Sequence, residues 1–357
     1  MRLGIIGLEA SGKTTIFNAL TGAQLETGTM AGRGRMDVHE ASVDVPDARL
    51  EAVSEIFKPK KTTHAKVTYA DIGGMSIGAG REGLPGPLVN QIGQMDGLLL
   101  VVRAFQDPSI PSALGDVDPA RDAAALDGEL LLSDMVTMER RLDKLQEERQ
   151  KGGRDRSQVE REQAIFNRAM EHLNQEQPLR RMDLSPEDRS FLTGFGLLTL
   201  IPILVVVNLG EDQLLSEMGE VMVGEAVLGL QGKLEMEIAQ LPADQAAEFL
   251  VVYGIEVPGR ERVIRSSYET LGLLSFFTGN EDEARAWMLP RGGTCLEAAA
   301  TVHSDMARGF IRAEVIQWDE LVDLGGIAEA RAQGRLRIEG KNSEVSDGDV
   351  IYIRFNV

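Results

Sequence analysis

Eight residues near the amino end, Gly7-Leu8-Glu9-Ala10-Ser11-Gly12-Lys13-Thr14, constrain the fold of this chain more than any other stretch. They read G-x-x-x-x-G-K-T, the pattern of a phosphate-binding P-loop. A glycine-rich turn can carry that pattern by chance, so its flanks decide. Leu3-Gly4-Ile5-Ile6 is a short apolar run of the kind that makes a buried strand. Thr15 to Leu20 has helical spacing. The turn therefore lies between strand and helix, where backbone N–H groups and a helix N-terminus can wrap a polyphosphate. Gly7, Glu9, Ala10, Ser11, Gly12, Lys13, Thr14 and Thr15 form the expected cradle. Lys13 would reach the β- and γ-phosphates, and the Thr14 hydroxyl would hold Mg²⁺.

Three further apolar runs extend the pattern. Lys66 to Asp71 reads as a strand ending in an acid, Gly97 to Arg103 as a buried strand, and Ile201 to Asn208 as a strand ending in a polar residue. Continuous apolar strands separated by helices predict an α/β fold with a doubly wound, mostly parallel sheet covered on both faces. Ligands of such sheets bind at the carboxyl ends of the strands. Gly7, Asp71 and Asn208 all fall there, far apart in sequence and expected close in space.

Length and charge bound the rest. A chain of 357 residues is long for one core and predicts two or three domains. A net charge of −19 argues against binding of DNA or anionic membrane by the bulk surface. The single cysteine, Cys295, excludes an internal disulfide framework. No apolar run is long enough to span a bilayer, and the first residues read as a strand rather than a signal peptide, so a cytoplasmic protein is expected.

Between the Gly97 and Ile201 strands the pattern changes. From about Leu126 to His172, Met135, Met138, Leu142 and Leu145, then Val159, Phe166, Met170 and Leu173, recur at three- and four-residue spacings. This predicts a helical hairpin with a coiled-coil seam, turning at Gly152-Gly153. Arg149, Lys151, Arg154 and Arg156 make that tip locally basic, a solvated surface or a partner site. From about Phe276, short alternating strands such as Leu336–Glu339 and Val350–Phe355, with a turn at Ser346-Asp347-Gly348-Asp349, predict a small mixed α+β domain.

Asp71-Ile72-Gly73-Gly74 fits D-x-x-G at a strand end. Asp71 can hold the water shell of Mg²⁺, and the Gly74 N–H can contact a γ-phosphate. With these residues in place, the chain resembles the YchF/Obg-like ATPase subfamily of P-loop GTPases nearly end to end. The resemblance rests on Val45-Pro46-Asp47-Ala48-Arg49, Lys58-Pro59-Lys60-Lys61, Asp71 to Gly74, Val101 to Phe105, Val117-Asp118-Pro119, Asn208-Leu209-Gly210-Glu211, Ser275 to Gly279, Arg285-Ala286-Trp287, His303-Ser304-Asp305, Gly309 to Glu314 and Gly348-Asp349-Val350. It implies three parts: a nucleotide domain (1–120 and 195–275), an antiparallel coiled-coil insertion (121–194) and a β-grasp TGS domain (276–357). His303, Arg285 and Trp287 are expected to be structural, the last two as packing or a partner face.

Asn208 to Glu211 bears on base preference. Ordinary GTPases read N-K-x-D there, with the Asp accepting two hydrogen bonds from guanine and the Lys stem covering the base. Here the Lys position is Leu209 and the Asp position is Glu211, one methylene too long for that bidentate contact. The subfamily resembles ATP users, so ATP is expected over GTP. The base loop of the family falls at Gln231-Gly232-Lys233, a degraded match in which the Gly232 N–H could still touch the base edge.

Other departures weaken turnover. Met75 stands where many GTPases place a water-orienting Gln, and Asp107 to Ser112 lacks the His that some members carry, Ser112 being nearest. The first effector loop, Gly28 to Asp37, has no Thr in the expected place; Thr29 lies too early, and Arg33 or Arg35 could reach a phosphate instead. The resulting expectation is a slow Mg²⁺-dependent nucleoside triphosphatase acting as a switch, associated with the ribosome or another translation component. The alternatives are a degenerate nucleotide-binding scaffold and a conventional GTPase.

Overall fold

The computed structural model describes residues 1–27, 38–73, 75, 84–151 and 155–356. In chain order its strands and helices begin with β1 (Arg2–Gly7), α1 (Lys13–Thr21), β2 (His39–Asp44), α2 (Ala48–Phe57), β3 (Lys61–Thr63), β4 (Lys66–Asp71), α3 (Gly86–Ile92) and β5 (Gly97–Arg103). Next come α4 (Pro119–Lys151), α5 (Arg156–Asn174), α6 (Pro186–Thr193), β6 (Ile203–Asn208), β7 (Ala226–Leu230), α7 (Gly232–Ala239), α8 (Ala243–Val252) and α9 (Gly259–Thr270). The chain ends with β8 (Leu273–Gly279), β9 (Glu283–Pro290), α10 (Cys295–Val302), α11 (Ser304–Arg308), β10 (Phe310–Gln317), α12 (Trp318–Leu324), α13 (Ile327–Ala332), β11 (Arg337–Glu339) and β12 (Asp349–Phe355). Two compact units result, residues 1–41 with 68–263, and residues 42–67 with 264–357.

The first sheet has the order β2-β4-β1-β5-β6-β7. The pairs β1–β4, β1–β5, β5–β6 and β6–β7 are all parallel. Every residue of β5 and β6 is buried, as a sheet covered on both faces requires of its central strands. Register fixes the functional edge: Ile5 pairs with Asp71, Gly7 with Val101, and Arg103 with Asn208. Strand β6 starts at Ile203, two residues later than the apolar run. Pro202 has no N–H to give a ladder, and Leu198–Leu200 is a 3₁₀ turn.

Helices α4 and α5 form the hairpin. Met138, Leu145, Val159, Phe166 and Leu173 are buried in one cluster, with Met135, Leu142 and Met170 packed against it, and Leu179, Leu192, Leu197 and Leu200 from the segment after α5 complete that core. Burying a side chain such as Leu145 or Phe166 stabilises the fold by roughly 2 kcal/mol each. Helix α4 begins earlier than Leu126, because Asp118 accepts a hydrogen bond from the Arg121 N–H at 3.0 Å and Pro119 occupies the first helical position. The Gly152-Gly153 turn and Arg154 lie outside the described residues. Among the described residues, no helix is long and apolar enough to cross a membrane.

The second unit has a mixed sheet in the order β11-β10-β12-β8-β9-β3. Antiparallel pairs β8–β9 and β10–β12 meet through the parallel contact of β12 with β8. Helix α10 packs Cys295, Ala298 and Ala299 into a core with Phe276, Leu289, Val315 and Ile351, the arrangement of a β-grasp fold. Segment 42–67 belongs to this unit although it lies between β2 and β4 in sequence. Strand β3 adds to the sheet edge beside β9, and the Phe57 ring of α2 presses on Gly279, where any side chain would overlap it. Arg49 of α2 bonds Asp347 at 2.8 Å and stacks over Phe277.

Candidate functional site

The P-loop turns off β1 through two left-handed backbone positions. Gly12 has φ 90° and Ala10 φ 61°. A non-glycine residue in that region costs about 1 kcal/mol or more, a strain typical of ligand-binding turns. Gly7 is required for close approach: a Cβ there would lie 2.5 Å from the Val101 carbonyl and 2.8 Å from Ser11 Oγ. Helix α1 then starts as the Ile16 N–H donates to the Gly12 carbonyl at 2.9 Å. Within the loop the Ser11 N–H turns back to the Leu8 carbonyl at 3.3 Å. Left-handed positions leading into a helix N-terminus are the backbone form of an anion nest.

Lys13 is buried, and its Nζ donates to the Leu8 carbonyl at 2.8 Å. Burial lowers its pKa to about 8, partly opposed by the nearby carboxylates of Asp71 and Glu9. A triphosphate would restore the charge that burial disfavours. Beside it, Thr14 Oγ1 donates to Asp71 Oδ2 at 2.8 Å. Asp71 is also buried, which raises its pKa, while the Thr14 bond, Lys13 and His39 act the other way. A hydroxyl and a carboxylate held together beneath an anion nest are the hard oxygen donors that Mg²⁺ takes when phosphates complete its shell. No cluster of three His, Cys, Asp or Glu residues able to hold a metal occurs among the described residues.

Strand β4 leads on to Ile72, whose N–H bonds the Ile5 carbonyl at 3.2 Å. The Met75 N–H bonds the Gly7 carbonyl at 3.0 Å, and its side chain is buried in the sheet core with Leu8 and Ile72. That thioether therefore serves packing. Gly74 lies outside the described residues, as do Thr29, Arg33 and Arg35 of the first effector loop.

At the base end, Asn208 is the hub. Its Nδ2 donates to the Ser11 carbonyl at 3.1 Å, and its Oδ1 accepts from the Gly232 N–H at 3.2 Å. The P-loop and the Gln231-Gly232-Lys233 loop are thereby joined through one buried amide. Gln231 Nε2 donates to the Glu211 carbonyl at 2.7 Å, and Lys233 Nζ lies 3.4 Å from Glu211 Oε1 in an exposed ion pair.

Two expectations change here. Leu209 stands in the position of a base-covering Lys, yet its side chain is buried in the sheet core, against Gly229. An apolar residue gains more from that core than from an exposed base rim. The Gly232 N–H, which could have touched the base edge, is taken by Asn208. A Cβ at 232 would come within 2.6 Å of Asn208 Oδ1 and 2.7 Å of Ile16 Cδ1, so the glycine serves the clamp.

Residue-by-residue reading of the motifs leaves four side chains without a role: Phe105, Arg103, Gln231 and Lys233. Phe105 lies beside the P-loop and the Asn208–Glu211 segment, its ring 3.7 Å from a Cβ built on Gly12 and its own Cβ 3.7 Å from one built on Gly210. Arg103 holds it, stacking 4.3 Å above the ring and donating from Nε to the Phe105 carbonyl at 3.0 Å. Gln231 and Lys233 complete the loop pairing. Phe105 stood inside a quoted motif, but only the fold brings it to the P-loop. In the second unit, His303 caps α11, its Nδ1 accepting from the Asp305 N–H at 3.1 Å, and Arg285 stacks 4.1 Å from the Trp287 ring.

Comparison with known proteins follows the same lines. The family model YchF-GTPase_C, described as "Protein of unknown function (DUF933)", matches residues 273–356. A Bacillus subtilis (strain 168) protein named Ribosome-binding ATPase YchF is 37% identical over 99% of both chains. Its namesake from Escherichia coli O157:H7 is 34% identical over 100% of this chain and 99% of that one. The solved structure of the Schizosaccharomyces pombe YchF GTPase matches with a TM-score of 0.83 at 27% identity, over 99% of this chain and 97% of that one. A GTP binding protein from Pyrococcus horikoshii OT3 matches with a TM-score of 0.61 at 18% identity over 100% of each chain, a likeness of fold alone. With such identity to curated relatives running end to end, the chain belongs to the YchF family.

Proposed function

We propose that this protein is a cytoplasmic, Mg²⁺-dependent nucleotide switch that binds and slowly hydrolyses ATP in preference to GTP and works on the ribosome. The observation that carries the reading is the grouping of Lys13, Thr14 and Asp71 beneath the P-loop nest. Lys13 and the backbone of Gly7 to Thr15 would bind the phosphates, and Thr14 with Asp71 would hold Mg²⁺. That ion, when bound, would neutralise charge developing between the β- and γ-phosphates. Gly74 would sense the γ-phosphate, and Asn208, Glu211 and the 231–233 loop would bound the base. The ribosome enters because relatives from Bacillus subtilis and Escherichia coli are named ribosome-binding ATPases. The three-part organisation inferred from sequence would let the nucleotide state of the first part reset how the hairpin and the C-terminal domain meet that partner.

ATP preference rests on Glu211, whose carboxylate is turned to Lys233. The Schizosaccharomyces pombe relative is titled a GTPase, so the base must be tested directly. Calorimetry with ATP, GTP and their non-hydrolysable analogues, with and without Mg²⁺, is the experiment. Tighter GTP binding would refute the base preference, and no binding of any nucleotide would refute the whole reading. A second reading, a nucleotide-binding scaffold with little hydrolysis, is favoured by the burial of Met75. Phosphate release that Lys13→Ala leaves unchanged would decide for it.

A further inference from the structure

Helix α8 is apolar and faces solvent. Val251 is 82% exposed, Val252 79% and Tyr253 55%, although such side chains are normally interior. The Tyr253 ring stacks on Phe249 with centroids 4.7 Å apart. Asp244 and Glu248 are exposed one and two turns earlier on the same helix, and Glu256 is exposed just after it. Glu235 of α7 is buried instead, where it pairs with Arg262 at 3.6 Å and accepts the Gly259 N–H. Exposed apolar side chains with carboxylates beside them on one helix end are the composition of an interaction surface.

From this we infer that the exposed end of α8 is a docking site for a basic protein segment, one that seats apolar side chains on Val251, Val252 and Tyr253 and sets Lys or Arg against Asp244, Glu248 and Glu256. The rim charge selects that occupant. Nucleic acid and anionic lipid are repelled by it, and a second copy would bring acid against acid. The inference rests on the ribosomal reading above, because proteins that bind RNA carry Lys- and Arg-rich arms of this chemistry.

Helix α8 is also connected by packing to the Asn208 clamp. Helix α8 packs on α7, which begins at Gly232, the partner of Asn208. Helix α7 packs in turn on α1, with Asn18 Nδ2 reaching Met236 Sδ at 3.7 Å and Gln240 Nε2 the Ala23 carbonyl at 3.4 Å.

The test uses the full chain, salt-washed ribosomes and two surface variants, Val251→Asp/Tyr253→Asp and Glu248→Lys. Each variant is first required to melt and to bind ATP as the parent does. The double variant is expected to bind ribosomes about tenfold or more weakly, the loss typical of an interface anchor. Glu248→Lys should also weaken binding, by repulsion, and serves alone if the double variant fails to fold. A photo-crosslinking group at position 252 should attach to a ribosomal protein. Unchanged affinity in Glu248→Lys and in a folded double variant, crosslinks to ribosomal RNA alone, or a parent dimer that the variants dissociate would overturn the inference. If the parent itself does not sediment with ribosomes, the ribosomal reading falls and this site falls with it; if the parent binds and the variants bind equally, only the site is lost.

Discussion

The side-chain amide of Asn208 lies so close to Gly12 that a single added methyl group at Gly12 would overlap it. The same amide bonds the Ser11 carbonyl and the Gly232 N–H, so one buried side chain sets the spacing between the loop for phosphates and the loop for the base. Asn208→Ala leaves both buried partners unpaired. A loss of roughly 1–3 kcal/mol in folding stability is expected from denaturant unfolding. ATP and GTP affinities should fall together, since the residue acts on loop spacing rather than on the base. A variant that loses only one of the two nucleotides would show instead that Asn208 reads the base directly.

Lys13 makes a prediction in pH. Its pKa is lowered to about 8 from 10.5 by burial, so the folded protein binds fewer protons than the unfolded chain between those values. Its charged form therefore costs stability at neutral pH, and the cost lifts as pH rises from about 8 toward 10.5. Triphosphate binding should return the proton. Calorimetry at about pH 9, in buffers of different ionisation enthalpy, should find proton uptake on ATP binding that is absent near pH 6. Lys13→Met should abolish that uptake and the binding, and should melt at a higher temperature than the parent.

What the sequence reveals and what it hides divide along locality. The P-loop is legible because its glycines, lysine and threonine act within one turn of chain. The hairpin seam is legible because Met138, Leu145 and Phe166 repeat with the helical period. Leu209 misleads because its motif position implies a base contact, whereas the sheet beneath offers an apolar site that the position alone does not reveal. Phe105 and the Gln231–Glu211 bond depend on pairing between segments distant in sequence. The placement of 42–67 beside 264–357 is hidden for the same reason, since β3 is only three residues long and its partner β9 lies more than two hundred residues away.

Glu211 should set the base preference by length. Glu211→Asp draws the carboxylate back by one methylene and weakens its pairing with Lys233. That pair is exposed, so stability should change by no more than about 0.5 kcal/mol. The ratio of GTP to ATP affinity should move toward GTP by about tenfold, the scale of losing or gaining one well-set polar contact. Leu209→Lys is expected to behave differently. It drives an ammonium into the core and should destabilise the protein without improving GTP binding. Fluorescent nucleotide competition on both variants separates these outcomes.

Asp134 ties the hairpin to the sheet. From α4 its Oδ1 accepts the Leu198 N–H at 2.7 Å, and its Oδ2 accepts the Thr199 N–H at 2.8 Å and the Thr199 hydroxyl at 2.6 Å. These bonds order the turn that feeds β6, the strand ending at Asn208. Burial nevertheless raises the pKa of Asp134 to about 6, against the pull of the Thr199 bonds and Arg180. An acid whose pKa is higher folded than unfolded gives the folded state extra protons between the two values. Its contribution to stability is thus greatest below about pH 4 and declines until about pH 6, above which it is constant. Asp134→Asn removes that slope and turns an amide donor toward one of the two backbone donors. It should destabilise the protein by about 1–3 kcal/mol at pH 7. Urea midpoints of parent and variant between pH 4 and 7 should show the gap narrowing as pH rises to about 6, and a gap independent of pH would mean that Asp134 stays ionised throughout.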